Sequence, residues 1–218
     1  MLRAVRKAVK RVAIAGRTLR AGVRVGKGCE IGIGARFEGL NVLGNGVRFD
    51  GSLGRGSYIG AGSTIRASIG RYCSIAGLVR TVHGRHPVSR YVSTHPAFFS
   101  TAKQAGFTFV DQTTFDEAGP GIVIGNDVWI GEAAAILDGV TIADGVVVAA
   151  GALVTKSLDP YGIYAGIPAR KIGARFTDDQ IKALLQLRWW ENSPAWMLAN
   201  ARDFQDIDSL LARVRQNK

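Results

Sequence analysis

Broken into sixes, residues 124–156 read IGNDVW IGEAAA ILDGVT IADGVV VAAGAL VTK. Every block opens on an aliphatic residue: Ile124, Ile130, Ile136, Ile142, Val148 and Val154. A period of six fits neither the 3.6 of a helix nor the 2 of an isolated strand. It is the signature of a hexapeptide β-helix, in which each six-residue unit forms one flat side of a coil and the stacked aliphatics fill the interior. Gly125 and Gly131 directly follow two of these aliphatics, at positions where a residue without Cβ turns most easily.

Upstream the same spacing recurs at Val25, Ile31, Phe37, Leu43 and Phe49. It slips at Asp50-Gly51-Ser52, resumes at Leu53, Ile59 and Ile65, slips again at Ala67-Ser68, and returns at Ile69 and Ile75. Residues 76–121 then show no ladder. An insertion of that length inside a compact repeat points to function. It contains all three histidines, His83, His86 and His95, and six of the aromatic residues. The organisation expected is a basic segment over 1–20, a β-helix over 21–172 interrupted by the 76–121 insertion, and a helical tail over 173–218. In the tail, Thr177 with Gln180 forms a capping-box pattern. Asn192-Ser193-Pro194 ends that helix, and two shorter helices follow.

The chain carries 28 basic and 17 acidic residues. Nine of the basic residues lie within 1–27, which holds no acid before Glu30. The partner implied by the charge is therefore a partner of the N-terminus. Leu2, Val5, Val9 and Val12 recur at helical spacing there, which suggests a basic amphipathic helix on an anionic membrane surface or one packed on the end of the β-helix. No apolar run is long enough to span a bilayer, and no apolar stretch of signal-peptide type follows the basic start. Cys29 and Cys73 form no metal or redox motif, so free thiols in a reducing cytoplasm are expected.

In combination, several stretches resemble the bacterial hexapeptide acyltransferases of the left-handed β-helix type. The branch in question holds the xenobiotic acetyltransferases and the sugar O-acetyltransferases of surface-polysaccharide synthesis. The stretches are Ile69-Gly70-Arg71-Tyr72-Cys73-Ser74-Ile75, His86-Pro87, Ser93-Thr94-His95-Pro96-Ala97-Phe98-Phe99, the 124–131 block, Gly166-Ile167-Pro168-Ala169-Arg170, and Arg175-Phe176 with Leu187-Arg188-Trp189-Trp190. The resemblance implies left-handed coils, against the usual right-handed crossover. It also implies a homotrimer with active sites between subunits and acetyl-CoA as co-substrate.

Acetyl transfer from a thioester to a hydroxyl needs a base for the hydroxyl proton and a donor for the developing oxyanion. By resemblance the base is His86, with His95 structural or in contact with the acceptor. A base histidine is usually oriented through its second nitrogen, and Asp111 and Asp116 are candidates for that role. The acetyl-CoA positions are Gly131, Ala149, Thr155, Lys156, Arg170 and Lys171. Backbone groups of Gly131 and Ala149 would meet the pantetheine amides, and the basic side chains the phosphates. Trp129 would wall the thioester channel. Trp189 and Trp190 read as core contacts of the tail. The spacing His-x2-His-x8-His does not match the three-histidine zinc site of the carbonic anhydrases built on this repeat, so no metal is expected.

A saccharide acceptor is favoured over a chloramphenicol- or streptogramin-type drug. The histidine is followed by proline, and Ser-Thr by His-Pro, whereas the drug branch carries asparagine before the histidine and tyrosine in place of His95. Arg85, which precedes His86, departs from the drug pattern and from some sugar relatives. A non-catalytic basic binding module is the alternative from another class. It is disfavoured because the charge is confined to one end and no nucleic-acid-binding pattern accompanies it.

Overall fold

The computed structural model describes residues 21–216; the expected basic helix over 1–20 lies outside the described residues. The chain forms a parallel β-solenoid of about 8 turns, the β-helix of hexapeptide repeats expected from the ladder, with the left hand that the resemblance implies. Its strands are mostly two residues long and stack on three faces. The first face runs through Arg24–Val25, Val42–Leu43, Tyr58–Ile59, Ser74–Ile75, Trp129–Ile130, Val147–Val148 and Gly162–Ala165. The second carries Glu30–Ile31, the starts of Arg48–Leu53 and Thr64–Ile69, then Arg80–Val82, Ala135–Leu137 and Leu153–Val154. The third carries Arg36–Phe37, the ends of the two long strands, Val123–Ile124 and Thr141–Ile142.

Successive side chains of a strand point to opposite faces, so each two-residue rung buries one side chain and exposes the other. The inward column of the first face is Leu43, Ile59, Ile75, Ile130 and Val148, each at most 1% exposed, closed at the end by Tyr164. Its outward column is Val42, Tyr58, Ser74, Trp129, Val147 and Ile163. That surface is largely apolar, with Trp129 55% exposed.

The slips in the ladder have a structural cause. From Arg24 to Val42 the register advances 18 residues, but from Val42 to Tyr58 and from Tyr58 to Ser74 only 16. In these two coils the strands Arg48–Leu53 and Thr64–Ile69 run through the corner unbroken. Period-2 alternation then puts Ile65, Ala67 and Ile69 all inside. Small residues are needed at that corner: Gly51 has φ +125°, and a Cβ there would lie 2.0 Å from the Ala67 carbonyl oxygen.

The repeat also continues one rung further than the spacing suggests. Val79 is fully buried and Arg80–Val82 pairs with strands on both sides, with Thr81 in the inward column opposite Ile136. A threonine at a ladder position hides this rung from a search for aliphatics. The excursion therefore leaves the prism after Val82 and rejoins it at Ile122.

After Ala165 the chain turns and comes back antiparallel as Arg170–Ala174. Helix α1 (Asp178–Leu187) starts at the expected capping box on Thr177 and Gln180. A left-handed Arg188 ends it, and α2 (Pro194–Asn200) and α3 (Ile207–Gln216) follow. Trp189, Trp190, Leu184, Leu210 and Leu211 bury themselves with Tyr161 against the prism. Cys29 and Cys73 are free thiols. Cys73 is fully buried, donates to the Gly125 carbonyl at 3.0 Å, and burial pushes its thiol pKa up to about 12.

Candidate active site

The three edges of the prism have different fates. The edge between the third and first faces is covered by the tail. There Arg175 donates to Asp127 Oδ2 at 2.8 Å and to the Gly145 carbonyl at 2.9 Å, while Arg71 pairs with Glu38 and reaches the Trp190 carbonyl. The edge between the second and third faces carries the excursion. The edge between the first and second faces bears neither, and its turns are small: Gly60-Ala61-Gly62, Gly131-Glu132-Ala133-Ala134, Ala149-Ala150-Gly151-Ala152.

The excursion is held by one-off contacts. Phe99 is fully buried and meets His86, Tyr91 and Phe115 edge-on. The single Thr108 hydroxyl hydrogen lies between the Ala97 and Ser100 carbonyls, whose oxygens are 3.1 and 2.9 Å from Oγ1. The Phe109 N–H bonds the Ala97 carbonyl, and the Thr114 N–H that of Phe99. Tyr91 OH donates to the Thr114 carbonyl at 2.9 Å.

His86 lies exposed on this frame. Its Nδ1 is 2.7 Å from the Thr94 carbonyl oxygen. A carbonyl only accepts, so Nδ1 carries the hydrogen and the neutral ring presents a bare Nε2. The orienting group is thus a backbone carbonyl, and neither Asp111 nor Asp116 takes the role; Asp116 Oδ1 accepts from the Ala118 N–H. His95 has the opposite tautomer. Its Nδ1 accepts from the Ala97 N–H at 3.2 Å, capping the short helix Pro96–Phe98, which leaves a hydrogen on Nε2. Its ring stacks on Phe107 with centroids 5.9 Å apart, beside the exposed rings of Phe98 and Phe109. His83 Nε2 bonds Thr81 Oγ1 at 3.0 Å, and its Nδ1 is 3.5 Å from Asp138. Among the described residues no three His, Cys, Asp or Glu side chains converge to hold a metal ion.

The other expected site residues divide between edges. Gly131, Ala149, Arg170 and Lys171 lie along the bare edge and its end. Thr155 and Lys156 lie on the excursion edge, and Trp129 stands on the outer surface of the first face. Within one chain the breadth of the second face separates the first group from the excursion. The N–H groups of Gly131 and Ala149 already donate to the Val148 and Tyr164 carbonyls, each at 2.8 Å, so neither can donate to a ligand. The free N–H groups on this edge belong to the next residue of each turn, Glu132 and Ala150 here as Asn45, Ala61 and Gly77 in earlier coils, and none of them has an acceptor among the described residues. Sequence reasoning missed Glu132 and Ala150 because the stacking register, rather than residue type, decides which turn amide is left over. A Cβ at Gly131 would lie 2.4 Å from the Ala150 nitrogen, so only glycine fits there.

Residues 121–156 match the family described as Bacterial transferase hexapeptide (six repeats). The chain is 40% identical over 124 residues to a chloramphenicol acetyltransferase of Klebsiella aerogenes, covering 56% of this chain and 58% of that protein. It is likewise 40% identical over 124 residues to a probable macrolide acetyltransferase of Lysinibacillus sphaericus, covering 56% of this chain and 67% of that one. The match thus spans less than two thirds of the chloramphenicol acetyltransferases' length. Among solved structures, an N-acyltransferase mutant of Bacillus cereus, in complex with dTDP and coenzyme A, superposes with TM-score 0.48 at 22% identity, over 80% of this chain and 95% of that one. A hexapeptide-repeat acetyltransferase of Vibrio cholerae complexed with acetyl-coenzyme A gives 0.45 at 23%, over 80% and 79%.

Proposed function

The chain belongs to the hexapeptide-repeat acetyltransferases, and we propose that it moves an acetyl group from acetyl-CoA to a hydroxyl of a saccharide, one used in building a bacterial surface polysaccharide. The observation that carries this reading is the tautomer of His86. A bare Nε2 on an exposed ring, fixed by the Thr94 carbonyl behind it, suits a general base near neutral pH. Nε2 takes the acceptor hydroxyl's proton as its oxygen attacks the thioester carbonyl. The C–S bond then breaks, and the imidazolium returns the proton to the leaving thiolate. The Thr94 carbonyl stabilises the imidazolium between these steps.

Acetyl-CoA fits the bare edge chemically. Two unpaired amides, Glu132 and Ala150, stand over a glycine- and alanine-lined surface. The exposed Arg170 and Lys171 at its end suit phosphates, and Trp129 offers an apolar wall. Lys156, with Thr155, sits on the excursion edge, so a site using both edges draws on two copies of the chain. This supports a homotrimer, with the apolar outer surface of the first face available for packing. Mixing His86→Ala chains with chains that carry Ala150→Trp, a bulky side chain at an exposed position of the same edge, tests it. If sites are shared, mixed assemblies regain activity that neither variant has alone; if each chain holds a whole site, they do not.

A saccharide acceptor is supported by His95, whose Nε2–H can donate to a hydroxyl beside the open faces of Phe98, Phe107 and Phe109. The drug reading stays second because curated relatives at 40% identity are named chloramphenicol acetyltransferases. The test is thiol release from acetyl-CoA against sugars, lipid-linked saccharides, chloramphenicol and a macrolide, with wild type and His86→Ala. Saccharide turnover lost in the variant supports the proposal, and turnover on a drug alone overturns the acceptor. We further propose that residues 1–20 contact an anionic membrane face, each cation there contributing about 1 kcal/mol. Unchanged binding to phosphatidylglycerol vesicles after deleting 1–20 would sink that idea. Among the described residues no helix is long and apolar enough to cross a membrane.

A further inference from the structure

Both ends of the excursion meet at one carboxylate that the proposed chemistry does not use. Asp138 opens the turn of the coil next to the excursion's root, and its side chain is 3% exposed. Oδ1 accepts from the Gly121 N–H and the Gly139 N–H, each at 3.0 Å, and faces His83 Nδ1 at 3.5 Å. The backbone repeats the grip: the Asp138 N–H donates to Val82 and the Gly139 N–H to Gly121, each at 3.0 Å. One turn therefore holds the outgoing strand at 82–83 and the incoming strand at 121.

The second oxygen has no such role. Oδ2 is buried with no hydrogen-bond partner among the described residues. A buried carboxylate oxygen without a donor is costly, and its presence calls for an explanation beyond packing. Gly119 suggests one. It has φ +63°, and a Cβ there would lie 2.1 Å from Oδ2 and 3.3 Å from Arg85 Nε. The carboxylate and the guanidinium of the residue preceding His86 thus flank the same glycine, whose missing side chain leaves the space beside Oδ2 clear.

We propose that Asp138 is a positioning residue for His86. It clasps both ends of the excursion through Oδ1 and sets Oδ2 opposite Arg85, which fixes the segment from His83 to His86 and so the direction of Nε2. The proposal rests on His86 being the base. It also gives Arg85 a role, as the cation on the far side of Gly119 from this carboxylate.

The test compares Asp138→Ala, Asp138→Asn, Arg85→Gln and the control Asp111→Asn in the full chain. Asp138→Ala should lower kcat by about 10- to 100-fold with KM for acetyl-CoA within about twofold, as for a group acting in the transition state rather than in binding. Asp138→Asn keeps an acceptor for Gly121 and should fall less, by the same factor as Arg85→Gln and without adding to it. In a His86→Ala background Asp138→Ala should cost nothing further. The chain has three histidines, so 15N-imidazole spectra resolve them; the Nδ1–H signature of His86 should be lost or mixed in Asp138→Ala and intact in Asp111→Asn. An unchanged His86 spectrum, or a kcat loss that persists in the His86→Ala background, overturns the proposal. Full activity in His86→Ala alone would remove the base assignment, and the spectrum would still decide whether Asp138 positions the ring.

Discussion

The prism and the segments that interrupt it are held together differently. In the prism almost every hydrogen bond runs from one coil's backbone to the next, as in Gly125 N–H to the Ile142 carbonyl and Gly131 N–H to that of Val148. Side chains need only be aliphatic inside and small at the corners. The excursion and the tail depend instead on particular side chains: Phe99, Thr108 and Tyr91 in one, Arg175, Trp189 and Trp190 in the other. Order by repetition tolerates exchange of one aliphatic for another, whereas order by singular contacts does not. The candidate base sits on the singular part, where a local change can move it without unfolding the scaffold.

The sharpest way to break this comparison is a pair of truncations at two fully buried residues, Ile136 and Phe99. Either should cost about 2–5 kcal/mol where it acts. Ile136→Ala should lower the urea midpoint of the whole chain. Phe99→Ala should speed amide exchange across 91–115 and lower activity by about 100-fold or more, as misplacing a catalytic group does, while prism amides keep their protection. Equal shifts of global unfolding in both variants would mean that prism and excursion form one cooperative unit.

A smaller effect is expected where the tail is pinned. Arg175 spans Asp127, the Gly145 carbonyl and the rings of Tyr161 and Phe176. Removing one partner of a buried pair costs about 3–5 kcal/mol. Both side chains here remain about a quarter exposed, so Arg175→Ala should cost nearer about 2 kcal/mol. The sign with pH is distinctive. Burial raises the Asp127 pKa above its ordinary 3.8, against the pull of Arg175. The folded chain therefore binds this proton more readily than the unfolded one, and stability falls as pH rises through the window between the two values. Without Arg175 that window widens upward. The variant's deficit should shrink from pH 7 to pH 4, and a deficit independent of pH would mean that Asp127 plays no part.

How much of this was legible follows the same division. The ladder was readable because its period is set by the interior, residue by residue. The capping box at Thr177 and the burial of Trp189 and Trp190 were readable from local pattern and side-chain type. The rung at 79–82 was not, because Thr81 occupies an aliphatic column, and the tight corners at Gly51 and Ala67 appeared only as slips. At the candidate site, His86 was legible through a motif. The Thr94 carbonyl behind it was not, nor were the free amides of Glu132 and Ala150, because backbone groups carry no residue identity. Asp138 was invisible for another reason: it lies at a turn inside the repeat, where a search for one-off chemistry does not look.

Thr177 gives a finer test of the singular part. Its hydroxyl accepts from the Gln180 N–H, and the Gln180 side chain reaches back to the Thr177 N–H. Thr177→Ala should cost about 1 kcal/mol, read in exchange of α1 and not in the prism.

The smallest expected effect lies at a salt bridge within the prism whose arginine also touches the tail. Arg71 Nε donates to Glu38 Oε2 at 2.6 Å, and its other nitrogens reach Glu38 Oε1 and the Trp190 carbonyl. The Arg71 bond holds the Glu38 carboxyl below its ordinary 4.5. A lowered folded value contributes stability that is present above pH 4.5 and lost as pH falls through the folded value, the reverse of Asp127. The Glu38 side chain is 44% exposed, so solvent screens the pair and its worth is about 0.5 kcal/mol or less. Glu38→Gln should therefore flatten the acid limb of the stability curve slightly and leave pH 7 stability almost unchanged. Paired with Arg175→Ala, it gives opposite slopes from two carboxylates on the same edge. If both variants changed the acid limb in the same direction, burial at Asp127 would not be what distinguishes the tail's anchor from an ordinary surface pair.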